Sequence, residues 1–71
     1  MEHFTKTISG IEFSFQGFLE GEDEACRVSA DNQTFKMTVN SNDEWIILQQ
    51  VPAWIKKLEK ELGDAIEQEY C

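Results

Sequence analysis

Apolar and polar residues alternate along the chain as far as Pro52, and this two-residue period predicts β-strands. The predicted strands cover approximately residues 3–9, 11–19, 24–31, 34–40 and 44–49. Beyond Pro52 the period becomes helical, with one apolar stripe formed by Ile55, Leu58, Leu62 and Ile66 and flanked by Trp54 and Ala65. We therefore predict a helix over approximately 52–69, with Pro52 at the first helical position, where its missing N–H costs nothing.

Short connections between the predicted strands define how the strands pair. Ser9–Gly10 is a two-residue connection whose glycine supplies the positive φ that a tight hairpin turn needs. The next connection aligns Phe15 with Val28, and a turn at 32–33 aligns Val28 with Met37. These registers place apolar residues on one face of the sheet through four strands.

The fifth predicted strand contains four consecutive apolar residues, 45–48, and so does not show which face is buried. In one register Trp45 and Ile47 join Phe18 as an apolar corner on the outer face, which is typical of an interface. A shift of one residue instead places Trp45 and Ile47 in the core beneath the helix, because such a slip exchanges the two faces. The sequence leaves both registers open.

Together these elements predict a single α+β domain over residues 1–71, a four- to five-stranded antiparallel β-meander with one C-terminal α-helix packed across one sheet face. A helix of about 18 residues is roughly 27 Å long, which matches the width of five strands about 4.8 Å apart. Gly63 lies inside the predicted helix and weakens it by about 1 kcal/mol relative to alanine. Either the last turns fray, or the glycine permits close contact with the sheet.

Composition narrows the classes of function. The chain has 71 residues and a net charge of -8, which leaves no room for a second domain and disfavours direct nucleic-acid binding and anionic membranes. No signal peptide or membrane-span pattern is present, so we expect a cytoplasmic protein that does not associate with membranes. In that compartment Cys26 and Cys71 are expected to be free thiols.

Candidate catalytic groups are few. The only histidine is His3, and none of the common zinc, P-loop or dinucleotide motifs is present, so we predict a non-enzymatic protein without cofactor or metal. The acidic turn Glu20–Glu24 concentrates four carboxylates and offers oxygen ligands for calcium, although its spacing does not match an EF-hand loop. A solubilising turn and an acidic docking site for a basic partner are the other interpretations.

Charge along the predicted helix runs against the helix dipole. Lys56, Lys57 and Lys60 come first and the acidic residues follow, so the helix must be held by packing. The lysines either neutralise nearby acids such as Asp43 and Glu44, or form a patch for an acidic group of a partner.

The sequence as a whole predicts a small acidic protein-interaction or self-association module, whose partner is another protein or a second copy. Its predicted partner surface consists of Phe18, Trp45, Ile47, Lys56, Lys57 and Lys60. The alternative is an acidic antagonist that mimics nucleic acid on a protein partner, with Glu12 opposite Asp31 as the beginning of a carboxylate array. A small-ligand binder or enzyme would need a pocket between helix and sheet, where bulky residues such as Phe13 are expected to fill the space.

Overall fold

The structure is a computed structural model that describes residues 3–70. Five strands form one antiparallel sheet in chain order: β1 (His3–Ile8), β2 (Ile11–Glu20), β3 (Asp23–Ala30), β4 (Gln33–Val39) and β5 (Trp45–Ile47). Two helical segments follow, α1 (Ala53–Lys56) and α2 (Glu59–Tyr70), and α2 contacts both β5 and β1. The predicted α+β meander with a C-terminal helix over one sheet face is therefore confirmed.

Two-residue turns close the first two hairpins. Ser9 and Gly10 both have positive φ, 54° and 77°, which is the backbone of a type I′ turn and fixes the predicted Ile8–Ile11 pair. Gly21 has a φ of 66° in the second turn, and the register that follows pairs the residues predicted from the sequence. The first two registers of the sheet were therefore correctly predicted.

The third turn differs from the prediction. It consists of Asp31 and Asn32, whose φ angles of 49° and 64° are ones that Asp and Asn adopt more readily than most residues. Because this turn lies one residue earlier than the predicted turn, Val28 pairs with Phe35 and not with Met37. Moving the turn by one residue shifts the pairing of β3 with β4 by two residues, so every side chain keeps its predicted face.

The fifth strand adopts the register that buries its side chains. Trp45 pairs with Val39 and Ile47 with Met37, so Ile47 lies on the core face at 6% exposure and Trp45 packs against the core. The predicted apolar corner of Phe18, Trp45 and Ile47 on the outer face is therefore wrong, because Trp45 and Ile47 lie on the core face. The one-residue-shifted alternative is the one observed.

The loop between β4 and β5 sets this register through one side chain. Asn40 accepts hydrogen bonds at Oδ1 from the backbone N–H groups of Asn42 and Glu44, at 2.9 and 3.0 Å. The backbone of Asn40 also donates to the carbonyl of Glu44 at 2.9 Å, and Asp43 adopts a φ of 62°. This compact loop brings β5 back to β4 with its odd-numbered residues facing the helices.

The core fills the space between the sheet and the helices. Its largest fully buried side chains are Phe13, Phe15, Phe35, Met37, Ile55, Leu62 and Ile66. Phe4 stacks on Phe15 with ring centroids 4.6 Å apart, and Trp54 lies 6.3 Å from Phe13. The predicted helical stripe thus faces the sheet, with Leu58 only partly buried.

The helical region is interrupted, whereas the sequence predicted one continuous helix over 52–69. At the break Leu58 donates a tight hydrogen bond of 2.9 Å to the carbonyl of Ile55, three residues earlier, as in a 3₁₀ turn. No glycine or proline lies at 57–58, so tertiary contacts explain the break. Ile55 is fully buried on one side of it, and Glu59 binds the sheet on the other.

Gly63 lies where α2 packs closely against the sheet. A Cβ atom at this position would lie 3.0 Å from the Cβ atom of Trp45. Of the two roles considered for this glycine, close contact with the sheet is the one observed, and α2 continues from it to Tyr70.

Candidate functional site

One end of the helix-covered sheet face carries exposed apolar residues. Leu19 and Val39 lie two residues beyond the buried Gly17 and Met37, so they point to the same face as the core. Nevertheless Leu19 is 62% exposed and Val39 37% exposed. With Trp45, which pairs with Val39 and is partly buried, they form a row that we call the apolar strip, in which the exposed Glu24, the β3 partner of Leu19, lies between Leu19 and Val39.

The path of α2 leaves this strip uncovered. The helix begins beside Ile47, where the Glu59 carboxylate accepts the backbone N–H at 2.8 Å. Toward its end, the Gln68 side chain accepts a hydrogen bond of 3.1 Å from the Lys6 amine on β1. Held at these two points, α2 contacts Trp45 at Gly63, while Leu19 and Val39 stay exposed.

A groove opens between α2 and the start of β5, next to the apolar strip. Its volume is about 460 Å³, and we call it the acidic groove. Its walls carry five acidic residues and one basic residue beside Trp45, Ile46 and Gly63: Asp43, Glu44, Glu59, Asp64, Glu67 and Lys60. Because Trp45 belongs to both features, the apolar strip leads into a strongly acidic concavity.

Most of the acidic charge in this groove has no cationic partner. Glu59 is the exception, since its carboxylate binds the Ile47 N–H and the Lys56 amine, and these interactions, the Ile47 hydrogen bond above all, lower its pKa. Within residues 3–70, neither of the two ion pairs includes Asp43, Asp64 or Glu67. A cationic ligand would therefore find carboxylates free of competing ion pairs.

The three helix lysines lie in different surroundings. Lys56 forms an ion pair of 3.0 Å with Glu59 and borders a recess made by residues 47–51. Lys60 lines the acidic groove, and Lys57 is exposed at the helix break. Lys56 thus neutralises Glu59, whereas acids such as Asp43 and Glu44 were predicted from the sequence. The role of the three lysines as a partner surface stays a prediction.

The outer face of the sheet does not carry the predicted apolar corner. The row of residues that includes Phe18 runs across strands β2 to β5 as Phe18, Ala25, Thr38 and Ile46. The Arg27 guanidinium lies 5.4 Å above the Phe18 ring, a cation–π geometry that covers part of this aromatic residue.

One carboxylate of the acidic turn between β2 and β3 forms an ion pair with a lysine. The Lys36 amine binds both carboxylate oxygens of Glu20, at 2.9 and 2.8 Å, and so occupies one of its acids. Among residues 3–70, no group of three or more His, Cys, Asp or Glu side chains is arranged to hold a metal ion. A calcium site at Glu20–Glu24 gains no geometric support.

Nucleophilic groups lie away from both the strip and the groove. Cys26 is fully buried in the core, and burial raises the pKa of its thiol to about 11, so the thiolate is scarce at neutral pH. Cys71 lies outside the described residues, and His3 is exposed on the edge strand β1. Glu12 and Asp31, the pair considered for a carboxylate array, border one shallow recess on the outer face.

Two parts of this site were missed by sequence reasoning. Glu59 was not singled out, because its partner is a backbone N–H of a strand twelve residues earlier and no side-chain pattern marks it. Leu19 and Val39 carry the signal of the core face in their alternation, yet their exposure depends on the path of the helix. Trp45 and Lys60 were in the predicted partner surface, and the sequence left the face of Trp45 open.

Comparisons with protein-family models, curated proteins and solved structures find no match to this chain. Within residues 3–70, no helix has the length and apolar character needed to cross a bilayer. Function is therefore inferred from the surface geometry and charge of this chain alone.

Proposed function

We propose that this protein is a non-enzymatic interaction module that binds a cationic amphipathic segment of a partner protein. The apolar strip receives the apolar side of that segment, and the acidic groove receives its basic side chains. The observation that carries this proposal is the exposure of Leu19 and Val39 in line with Trp45. Exposed apolar side chains rimmed by polar residues are typical of interaction sites, and here Glu24 lies between Leu19 and Val39.

Charge specifies the kind of partner. The chain has a net charge of -8, and the groove beside the strip carries carboxylates without ion pairs. This potential attracts basic segments and disfavours acidic ones, which mainly affects association rate and specificity. Trp45 lies where strip and groove meet, and an aromatic ring in that position favours a lysine or arginine packed over it.

The strip is a better candidate than the outer sheet face. Phe18 on that face is partly buried and already has the Arg27 guanidinium above its ring. Leu19 and Val39 are more exposed, and Val39 pairs with Trp45, which lines a concave groove. A non-enzymatic role is further favoured by the burial of Cys26, which removes that thiol as a nucleophile.

A titration followed by NMR tests the proposal. The probe is a helical peptide with leucines on one face and lysines on the other, added to the ¹⁵N-labelled protein. We expect shift changes at Leu19, Val39, Trp45 and the 63–67 segment. A scrambled peptide of the same composition, and one with glutamate in place of lysine, are expected to bind about tenfold more weakly or not at all.

Variants of the protein provide the matched comparison. Leu19→Ser with Val39→Ser is expected to weaken binding about tenfold, since both changes remove apolar contact area. Leu48→Ser is the control, because Leu48 is also 62% exposed but lies outside the strip. Equal binding of the scrambled peptide, or an equal loss in the Leu48 variant, would overturn the proposal.

A further inference from the structure

The two edges of the sheet are not equivalent. β5 has only three residues, and the outward backbone N–H of Ile47 already donates to the Glu59 carboxylate. α2 also lies against Trp45 on that strand. The β5 edge is therefore short and covered, as is usual for protected sheet edges.

The β1 edge is longer and open. Its two-residue turn makes Ile8 and Ile11 a hydrogen-bonded pair, so the alternation of an antiparallel ladder directs the backbone groups of His3, Thr5 and Thr7 away from the sheet. Within residues 3–70, none of these three residues forms a backbone hydrogen bond outside the sheet. β1 thus offers a row of donors and acceptors for another strand.

A second groove lies between β1 and α2, directly beside this edge. Its volume is about 310 Å³, and Lys6, Ala65 and Gln68 are among its lining residues. Glu61 and Asp64 also border it, and neither belongs to an ion pair formed by residues 3–70. A strand added to β1 would direct every second side chain toward this groove.

We propose that the β1 edge is a second binding site, which takes an extended segment of a partner protein as a sixth strand. Main-chain hydrogen bonds to His3, Thr5 and Thr7 hold the segment, and a basic side chain of the segment lies in the groove against Glu61 and Asp64. This site lies at a different place from the apolar strip, which is at one end of strands β2 to β5, although Asp64 borders both this groove and the acidic groove.

A second copy of the chain fits this edge less well than a basic partner. It would bring a net charge of -8 against an equal charge. The two antiparallel registers that pair most of His3–Ile8 with the same strand of another copy through their outward groups place Lys6 opposite Phe4 or opposite Lys6 of that copy. The first pairing brings no base to Glu61 and Asp64, and the second places like charges directly opposite each other.

The test uses a peptide of defined sequence, threonine-valine-threonine-lysine-threonine-valine-threonine, with both ends blocked. Added to the ¹⁵N-labelled protein, it is expected to shift resonances in β1 and in the 61–68 segment and to slow amide exchange at Thr5 and Thr7. The control peptide is N-methylated at the two threonines that flank the lysine, where its N–H groups would face β1. We expect this control to bind about tenfold more weakly or not at all.

A protein variant gives the complementary comparison. Thr5→Pro removes one outward N–H and blocks an added strand, while proline is tolerated at an edge position whose N–H faces solvent. Binding is expected to fall about tenfold in Thr5→Pro and to persist in Thr5→Val. The N-methylated peptide, used on the unaltered protein, keeps the test valid even where Thr5→Pro perturbs the fold.

Three outcomes would overturn this site: no shifts with the unmodified peptide, equal binding of the N-methylated peptide, or shifts confined to the apolar strip. Self-association that Thr5→Pro abolishes would overturn it too, and would assign the edge to a second copy. The Leu19→Ser and Val39→Ser variant is expected to bind this peptide normally. The two sites can therefore fail separately.

Discussion

The Glu59 carboxylate accepts a hydrogen bond of 2.8 Å from the backbone N–H of Ile47, and so joins the first residue of α2 to the edge of the sheet. The same oxygen also lies 3.0 Å from the Lys56 amine. One side chain thus satisfies an outward strand donor and orients the helix that follows the break. Its charge is expected to matter for stability.

Replacing Glu59 is expected to destabilise the protein in a pH-dependent way. Hydrogen bonding from Ile47 lowers the pKa of this carboxyl in the folded protein, so its contribution is present at neutral pH. That contribution is lost as the pH falls through the lowered pKa, below the ordinary range of glutamate. We expect Glu59→Gln to cost about 1 kcal/mol at neutral pH, and the difference from the parent to vanish in strong acid.

Urea unfolding at several pH values measures this effect. Glu61→Gln is the control, because Glu61 is an exposed neighbour without an ion pair among residues 3–70. A Glu59→Gln difference that stays constant into strong acid would contradict the assigned role of the charge.

Gly63→Ala is expected to destabilise the protein although alanine is the better helix former. The new methyl group would lie 3.0 Å from the Cβ atom of Trp45, an atom fixed to the β5 backbone. We expect this crowding to exceed the gain of about 1 kcal/mol in helix propensity. Thermal unfolding checks the sign, with Asp64→Ala as the exposed neighbour expected to be neutral or slightly stabilising. A higher melting temperature for Gly63→Ala would show that β5 yields to the methyl group.

Two leucines of the helical stripe are expected to differ in their effect on stability. Leu62 is fully buried, whereas Leu58 is only partly buried at the helix break. Leu62→Ala should therefore cost about 3 to 5 kcal/mol, enough to unfold much of so small a domain, and Leu58→Ala clearly less. Circular dichroism during urea unfolding measures both. Equal losses of unfolding free energy would mean that Leu58 contributes as much to the core as Leu62 does.

Cys26 is expected to resist thiol reagents until the protein unfolds. Burial raises its pKa from 9.0 to about 11, so an unfolded chain loses this proton at lower pH than the folded chain does. Because deprotonation stabilises the unfolded state at a lower pH than it does the folded state, the contribution of Cys26 to stability should fall as the pH rises above about 9. Labelling with a disulfide reagent in a Cys71→Ser background, with and without urea, reads this thiol alone. Rapid labelling of the folded protein would contradict its burial.

The sheet was largely predictable because its information is local. Alternation and the Ser9–Gly10 turn suffice to pair Ile8 with Ile11. The third register was wrong because Asp31–Asn32 adopts a positive-φ turn without glycine, so no glycine marks the position of this turn. Four apolar residues in a row left β5 undetermined, and the Asn40 loop decides its register.

The helix break and the candidate site were less predictable because both depend on contacts distant in sequence. Residues 57–58 include no helix breaker, and the interruption accompanies burial of Ile55 and the hydrogen bond of Glu59. The exposure of Leu19 and Val39 follows from where α2 crosses the sheet. Residue type alone would assign both to the core.

The contacts of α2 with both edges of the sheet have a consequence for folding during synthesis. The helix touches β5 at Trp45 and β1 at Lys6, the two strands farthest apart in the sheet. Because residues 53–70 follow the sheet in sequence, the ribosome synthesises all five strands before the helix that covers their apolar face. Until α2 packs against the sheet, the apolar face that carries Phe13, Phe15 and Met37 lacks the helix that covers it in the folded protein.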